Sequence, residues 1–145
     1  ELLDTRECLQ ATPLHLSAGA GTHKTLEWML AQGGNLKAED CYHATPLHWS
    51  ARSGCIATVK LLIEKGADLS KKDVRGTTPL HLMAAEGHMR CTEFLVDAGA
   101  DISTEDKQGL TPLDWAIAGS ASADVIDYLN EKRTAIHADP TTKNC

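Results

Sequence analysis

The sequence predicts an all-α helical repeat solenoid, a stack of helix pairs, and three observations carry that expectation. The tetrapeptide TPLH begins at Thr12, Thr45 and Thr78, and TPLD follows at Thr111, each 33 residues after the one before. Glycines keep the same period at Gly21, Gly54 and Gly87, and again at Gly33, Gly66 and Gly99, where GGNL, GADL and GADI begin. Aromatic side chains are scarce: Phe94 is the only Phe, beside Trp28, Trp49, Trp115, Tyr42 and Tyr128. A core without aromatics must pack Leu, Ile, Val and Ala closely, which suits many thin layers better than one bulky centre. A fixed period of this length marks a repeat architecture, in which each unit is stabilised by its neighbours.

Each unit reads as two helices. Thr12, Thr45, Thr78 and Thr111 stand where an N-cap belongs, with a hydroxyl able to accept from an early helix N–H. Proline follows at the first helical position, where its missing N–H costs nothing. Leu14, Leu47, Leu80 and Leu113 come next, and Ala18, Ala51 and Ala84 are small enough for the helices to approach closely. Gly21, Gly54 and Gly87 end this first helix through the left-handed turn that glycine tolerates. A second helix is expected from Leu26, Trp28 and Met29, from Val59, Leu61 and Leu62, and from Phe94 and Leu95. Gly33, Gly66 and Gly99 close it, and a short extended segment leads onward.

These residues resemble the ankyrin repeat family, whose period and TPLHxA signature they share. The resemblance covers roughly residues 7 to 133. It implies two antiparallel helices and a projecting β-hairpin loop per repeat, stacked into a curved slab whose usual role is protein–protein recognition. It also implies a structural role for His15, His48 and His81, each bridging a helix start to a neighbouring hairpin.

One domain is expected over residues 1–136, with repeats at about 7–39, 40–72, 73–105 and 106–136, and a polar, disordered tail at 137–145. Leu3 falls on the phase of Leu36, Leu69 and Ile102, so residues 1–6 read as the end of an earlier repeat, and the full protein is expected to continue upstream. The fourth repeat reads as a cap. Val125, Ile126, Tyr128 and Leu129 align with Thr58, Val59, Leu61 and Leu62 only if one residue is inserted between Gly119 and Ala123. Asp114 replaces the histidine and favours the helix start through the dipole and a capping box with Thr111.

Composition excludes several classes. The chain carries 14 basic and 20 acidic residues, a net charge of −6, which argues against nucleic acid as the main partner. No apolar run approaches the ~18 residues that would span a membrane, and no signal peptide is visible. Five scattered cysteines, Cys8, Cys41, Cys55, Cys91 and Cys145, point to a reducing compartment, cytoplasmic or nuclear. Cys8 and Cys41 lie one period apart, and packed helices ~8–10 Å apart exceed the ~7 Å that a disulfide bridges. With His43 they lack the close spacing of a zinc site. No metal or other cofactor is expected.

No catalytic centre is expected either. A histidine that recurs once per layer reads as structural, and no nucleophile or acid recurs beside it. Trp49 and Trp115 share one repeat position, with Leu16 and Leu82 in phase, and read as interface core with one edge exposed; the alternative is an indole that meets a partner at the border of the concave face. The runs Lys71-Lys72-Asp73 and Glu105-Asp106-Lys107 read as solvated hairpin surface.

The function expected is binding of another protein or peptide by a monomeric module that is not an enzyme. By resemblance, partners are read by the hairpin tips and the exposed side of the first helix. The candidates are therefore Leu9, Tyr42, Val74 and Arg75 at tips, with Trp49, Arg52 and Glu86 on helices. Leu9 and Tyr42 make the first two tips apolar where solvent gives no reason for it. The alternatives are a region that positions substrate or subunits in a larger enzyme or channel, and a passive spacer.

Overall fold

In the computed structural model, which describes residues 11–119 and 121–137, every TPL segment opens a short helix. These are α1 (Pro13–Ala20), α3 (Pro46–Ser53), α5 (Pro79–Glu86) and α7 (Pro112–Ala118), each behind a threonine with extended backbone. Gly21, Gly54 and Gly87 take left-handed φ of 75°, 64° and 78° and end the first three. The chain then turns back into α2 (His23–Ala31), α4 (Ile56–Glu64), α6 (Met89–Asp97) and α8 (Ala123–His137). Gly33, Gly66 and Gly99 follow the first three of these second helices in the same left-handed region.

First helices pack on first helices and second on second, so α1, α3, α5 and α7 form one layer and α2, α4, α6 and α8 the other. The core runs between them. Leu14, Leu47, Leu80 and Leu113 enter from one side, and Leu26, Val59, Leu62, Leu95, Val125 and Leu129 from the other. Ala18, Ala51 and Ala84 are sealed between layers, as their size predicts. Cys91 is buried too, donating its S–H to the Gly54 carbonyl at 3.3 Å, and burial pushes its thiol up to about 11.

The fourth repeat carries the expected insertion. α8 begins 34 residues after α6, and Gly119 has φ of −82° rather than a left-handed value. Val125 and Leu129 are fully buried, in phase with Thr58 and Leu62 once the extra residue is counted. α8 continues through His137, one residue into the stretch read as tail. Residues 138–145, and the partial repeat expected at 1–6, lie outside the described residues.

α2 takes in Leu26, Trp28 and Met29 as expected, but Trp28 is 63% exposed, while its in-phase counterparts Leu61 and Phe94 are half-buried. It lines a shallow pocket with Leu14 and Met29. The acidic and basic runs are not wholly solvated surface. Asp40, Asp73 and Asp106 are buried, and each organises a hairpin turn. Asp73 Oδ1 accepts from the backbone N–H groups of Arg75 and Thr77 at 2.9 and 3.0 Å. Asp40 does the same for Tyr42 and Ala44, and Asp106 for Gln108 and Leu110. Among the described residues these projecting loops form turns without a β-ladder. Single backbone bonds join consecutive tips, Val74 N–H to Tyr42 O at 2.9 Å and Lys107 N–H to Arg75 O at 3.0 Å.

Candidate recognition surface

The histidines link successive repeats. Thr12 N–H donates to His15 Nδ1 at 3.1 Å, Thr45 N–H to His48 at 3.2 Å and Thr78 N–H to His81 at 3.1 Å. The lone pair on Nδ1 is therefore occupied and Nε2 carries the proton. That N–H donates to the carbonyl of Ala44, Thr77 or Leu110 in the next hairpin, at 2.8, 3.0 and 2.9 Å. Both ring nitrogens are engaged, so neither is open for acid–base work. Burial disfavours the imidazolium of His48 and His81 and holds both below the usual histidine range, although their backbone carbonyl acceptors oppose the shift. In the fourth repeat Asp114 takes the place of histidine, with Oδ2 accepting from Thr111 N–H at 3.0 Å. Among the described residues no following hairpin exists for a second ring nitrogen to reach.

The two tryptophans serve the turn aspartates. Trp49 donates its indole N–H to Asp40 Oδ2 at 2.9 Å, and Trp115 donates to Asp106 Oδ2 at 2.8 Å. Repeat three has Leu82 at the tryptophan position, and there the Thr77 hydroxyl satisfies Asp73 Oδ2 at 2.7 Å. The hydrogen bonds outweigh the opposing effect of burial and hold the Asp73 and Asp106 carboxyls below the usual range. Each indole also lies edge-on to the histidine of the preceding repeat, Trp49 to His15 at 5.6 Å and Trp115 to His81 at 5.8 Å between ring centres. Both are half-buried.

This packing leaves a groove between the second and third hairpin tips, and a smaller one of about 400 Å³ between the third and fourth, lined by Val74, Arg75, Gln108 and Trp115. Trp49 lies against Gly19 of the preceding first helix, where an added Cβ would meet its ring at 3.2 Å. At the position of Gly19, repeat two has Arg52 and repeat three has Ala85. The large Arg52 faces the smaller Leu82, and the α3–α5 contact is the sparsest of the three between first helices. The resulting groove of about 490 Å³ is lined by Tyr42, Ala44, Trp49, Val74 and Leu82, with Arg52 and Arg75 among its charged residues. Arg52 stacks over Trp49 at 5.5 Å, and Arg75 over Trp115 at 5.6 Å.

Of the candidate residues, five meet here: Tyr42, Trp49, Arg52, Val74 and Arg75. Glu86 is exposed at the end of α5 and does not line the groove. Leu9 lies outside the described residues. Three features were missed in the sequence. The in-phase aspartates were visible at 33-residue spacing but were masked by their charged neighbours. Leu82 matters only as the smaller side chain opposite Arg52. His43 interrupts a glycine register: Gly76 and Gly109 occupy its phase with φ of 80°, and His43 adopts φ of 62°, the one non-glycine residue with positive φ among the described residues. Its Nδ1 lies 2.8 Å from Glu39, whose other oxygen meets Lys71 at 2.7 Å. Lys71 first and His43 second hold that carboxyl below its usual range.

Among the described residues no three His, Cys, Asp or Glu side chains gather as a metal set, and no helix is long and apolar enough to cross a membrane. No curated protein matches the chain. A family model described as ankyrin repeats (3 copies) matches residues 1–73 and 70–144. The chain belongs to the ankyrin repeat family, whose repeats generally serve as protein–protein interaction modules.

Proposed function

We propose that this chain binds a partner protein or peptide through the groove between its second and third hairpin tips, acting as a monomeric, non-catalytic module. The observation that carries the reading is Tyr42, 53% exposed on a rigid turn at the rim of an apolar groove. An exposed aromatic loses contact with water only when a partner covers it, and Tyr and Arg are favoured anchors at such interfaces. The wall is preorganised, because Asp40 fixes the turn and Val74 N–H ties the next tip to Tyr42 O. A rigid wall loses little entropy on binding. The bonds described above support structural roles for Thr12, Thr45, Thr78, Thr111, the three histidines and Asp114. The scattered thiols support a reducing compartment, cytosol or nucleus.

Site-specific photocrosslinking tests the reading. A photoreactive phenylalanine at position 42 should capture a discrete partner from cell extract. The same group at Glu64, exposed at the end of α4, should not. Equal capture from both positions would refute the proposal.

A further inference from the structure

The groove's charges indicate what kind of segment fits it. Four of its lining side chains carry a carboxylate or guanidinium: Asp40, Arg52, Asp73 and Arg75. The carboxylates are spent within the protein. Asp40 takes two backbone N–H groups and the Trp49 indole, and Asp73 takes two backbone N–H groups and the Thr77 hydroxyl. Both are buried, so neither is presented to a ligand.

The arginines are exposed and cationic. Arg52 has no carboxylate within ion-pair distance among the described residues, and its guanidinium is held over Trp49. Arg75 lies over Trp115, and its one ion pair among the described residues is with Asp73 at 3.7 Å, a long contact to an oxygen already bonded to Thr77. A guanidinium lying on an indole keeps its outward N–H donors open and gives up little freedom when a carboxylate arrives. Between the arginines the surface is apolar: Tyr42, Ala44, Trp49, Val74 and Leu82.

We infer that the groove takes an acidic, apolar-anchored segment of a partner protein, with an aliphatic or aromatic side chain seated among Tyr42, Trp49, Val74 and Leu82 and flanking carboxylates bound by Arg52 and Arg75. This rests on the partner-binding reading above and deepens it. The chemistry is local, since the chain as a whole is acidic at a net charge of −6. An acidic segment is repelled by much of the surface and held in one register by two cations. Selectivity therefore comes from a charge pattern set against the average.

The test uses the whole chain and a display library of random dodecapeptides. Enriched peptides should carry at least two Asp or Glu within a few positions of a Leu, Ile, Phe or Tyr. Arg52→Glu and Arg75→Glu should each weaken binding of a synthetic copy about tenfold or more, the loss of a charge-assisted hydrogen bond. Arg75→Lys should give a smaller loss, because it keeps the charge without the fork. Raised salt should weaken binding as well. Both arginines are exposed, and unchanged urea midpoints would show that the variants still fold. Enriched peptides that need Tyr42 and Val74 but ignore both arginines would overturn the acidic segment and leave the groove reading intact. If no enriched peptide is sensitive to Tyr42→Ala or Val74→Ala, the groove reading fails and this inference with it.

Discussion

His43 occupies a backbone conformation that its in-phase counterparts leave to glycine. Left-handed φ costs an L-residue roughly 1–2 kcal/mol, partly offset because glycine loses more freedom on folding. His43→Gly should therefore stabilise the fold by up to about 1 kcal/mol, seen as a raised urea midpoint, while weakening partner binding if the side chain is retained for contact. A lowered midpoint would show that the Glu39 pairing matters more than the strain.

His48 offers a second test at this scale. Burial disfavours its charged form, so the unfolded chain takes up protons more readily once pH falls below about 6.5. The stability its neutral form supplies is complete above that pH and is lost as pH falls toward the lower folded value. His81 adds the same sign. Urea midpoints should drop between about pH 7.5 and about pH 5.5, with a smaller drop in His48→Gln. An identical drop in both would place the titration elsewhere.

The helices and their joints depend on a few steric conditions. Ala51 is buried in the core, so Ala51→Leu should overpack its surroundings and cost about 1–3 kcal/mol in urea unfolding. Gly54→Ala combines a left-handed turn with a Cβ driven into the His88 ring, and should cost more than ~1 kcal/mol. The corresponding change at Gly66 meets nothing within 4 Å and carries only the backbone penalty. If Gly54→Ala and Gly66→Ala lower the midpoint equally, the steric account of the first joint is wrong.

For the whole molecule, the layer count, helix starts and inserted residue in repeat four were legible because each is local and periodic. Thr-Pro fixes a helix start wherever it occurs, and Gly at a fixed offset fixes its end. The tips were partly legible: Tyr42, Val74 and Arg75 could be placed by phase alone. The exposure of Trp28 was not, since its in-phase counterparts Leu61 and Phe94 are half-buried and periodicity treats the three alike. Nor was the groove, which depends on Arg52 facing Leu82 across a layer while Trp49 meets Gly19. That pairing is set by neighbours 30 residues apart and has no signature within one repeat. Buried aspartate looked like surface charge for a similar reason, because its partners are backbone N–H groups that every residue carries.

Tyr42 is the exposed anchor of the proposed recognition surface. Calorimetric titration of a crosslinked partner into wild type, Tyr42→Ala and Gln108→Ala measures this. Losing an aromatic anchor typically costs ~2 kcal/mol or more, so Tyr42→Ala should bind about thirtyfold more weakly with a nearly unchanged urea midpoint. Gln108→Ala, at the matching position on the fourth tip, should bind almost as wild type does. Equal affinities for all three proteins would contradict the account.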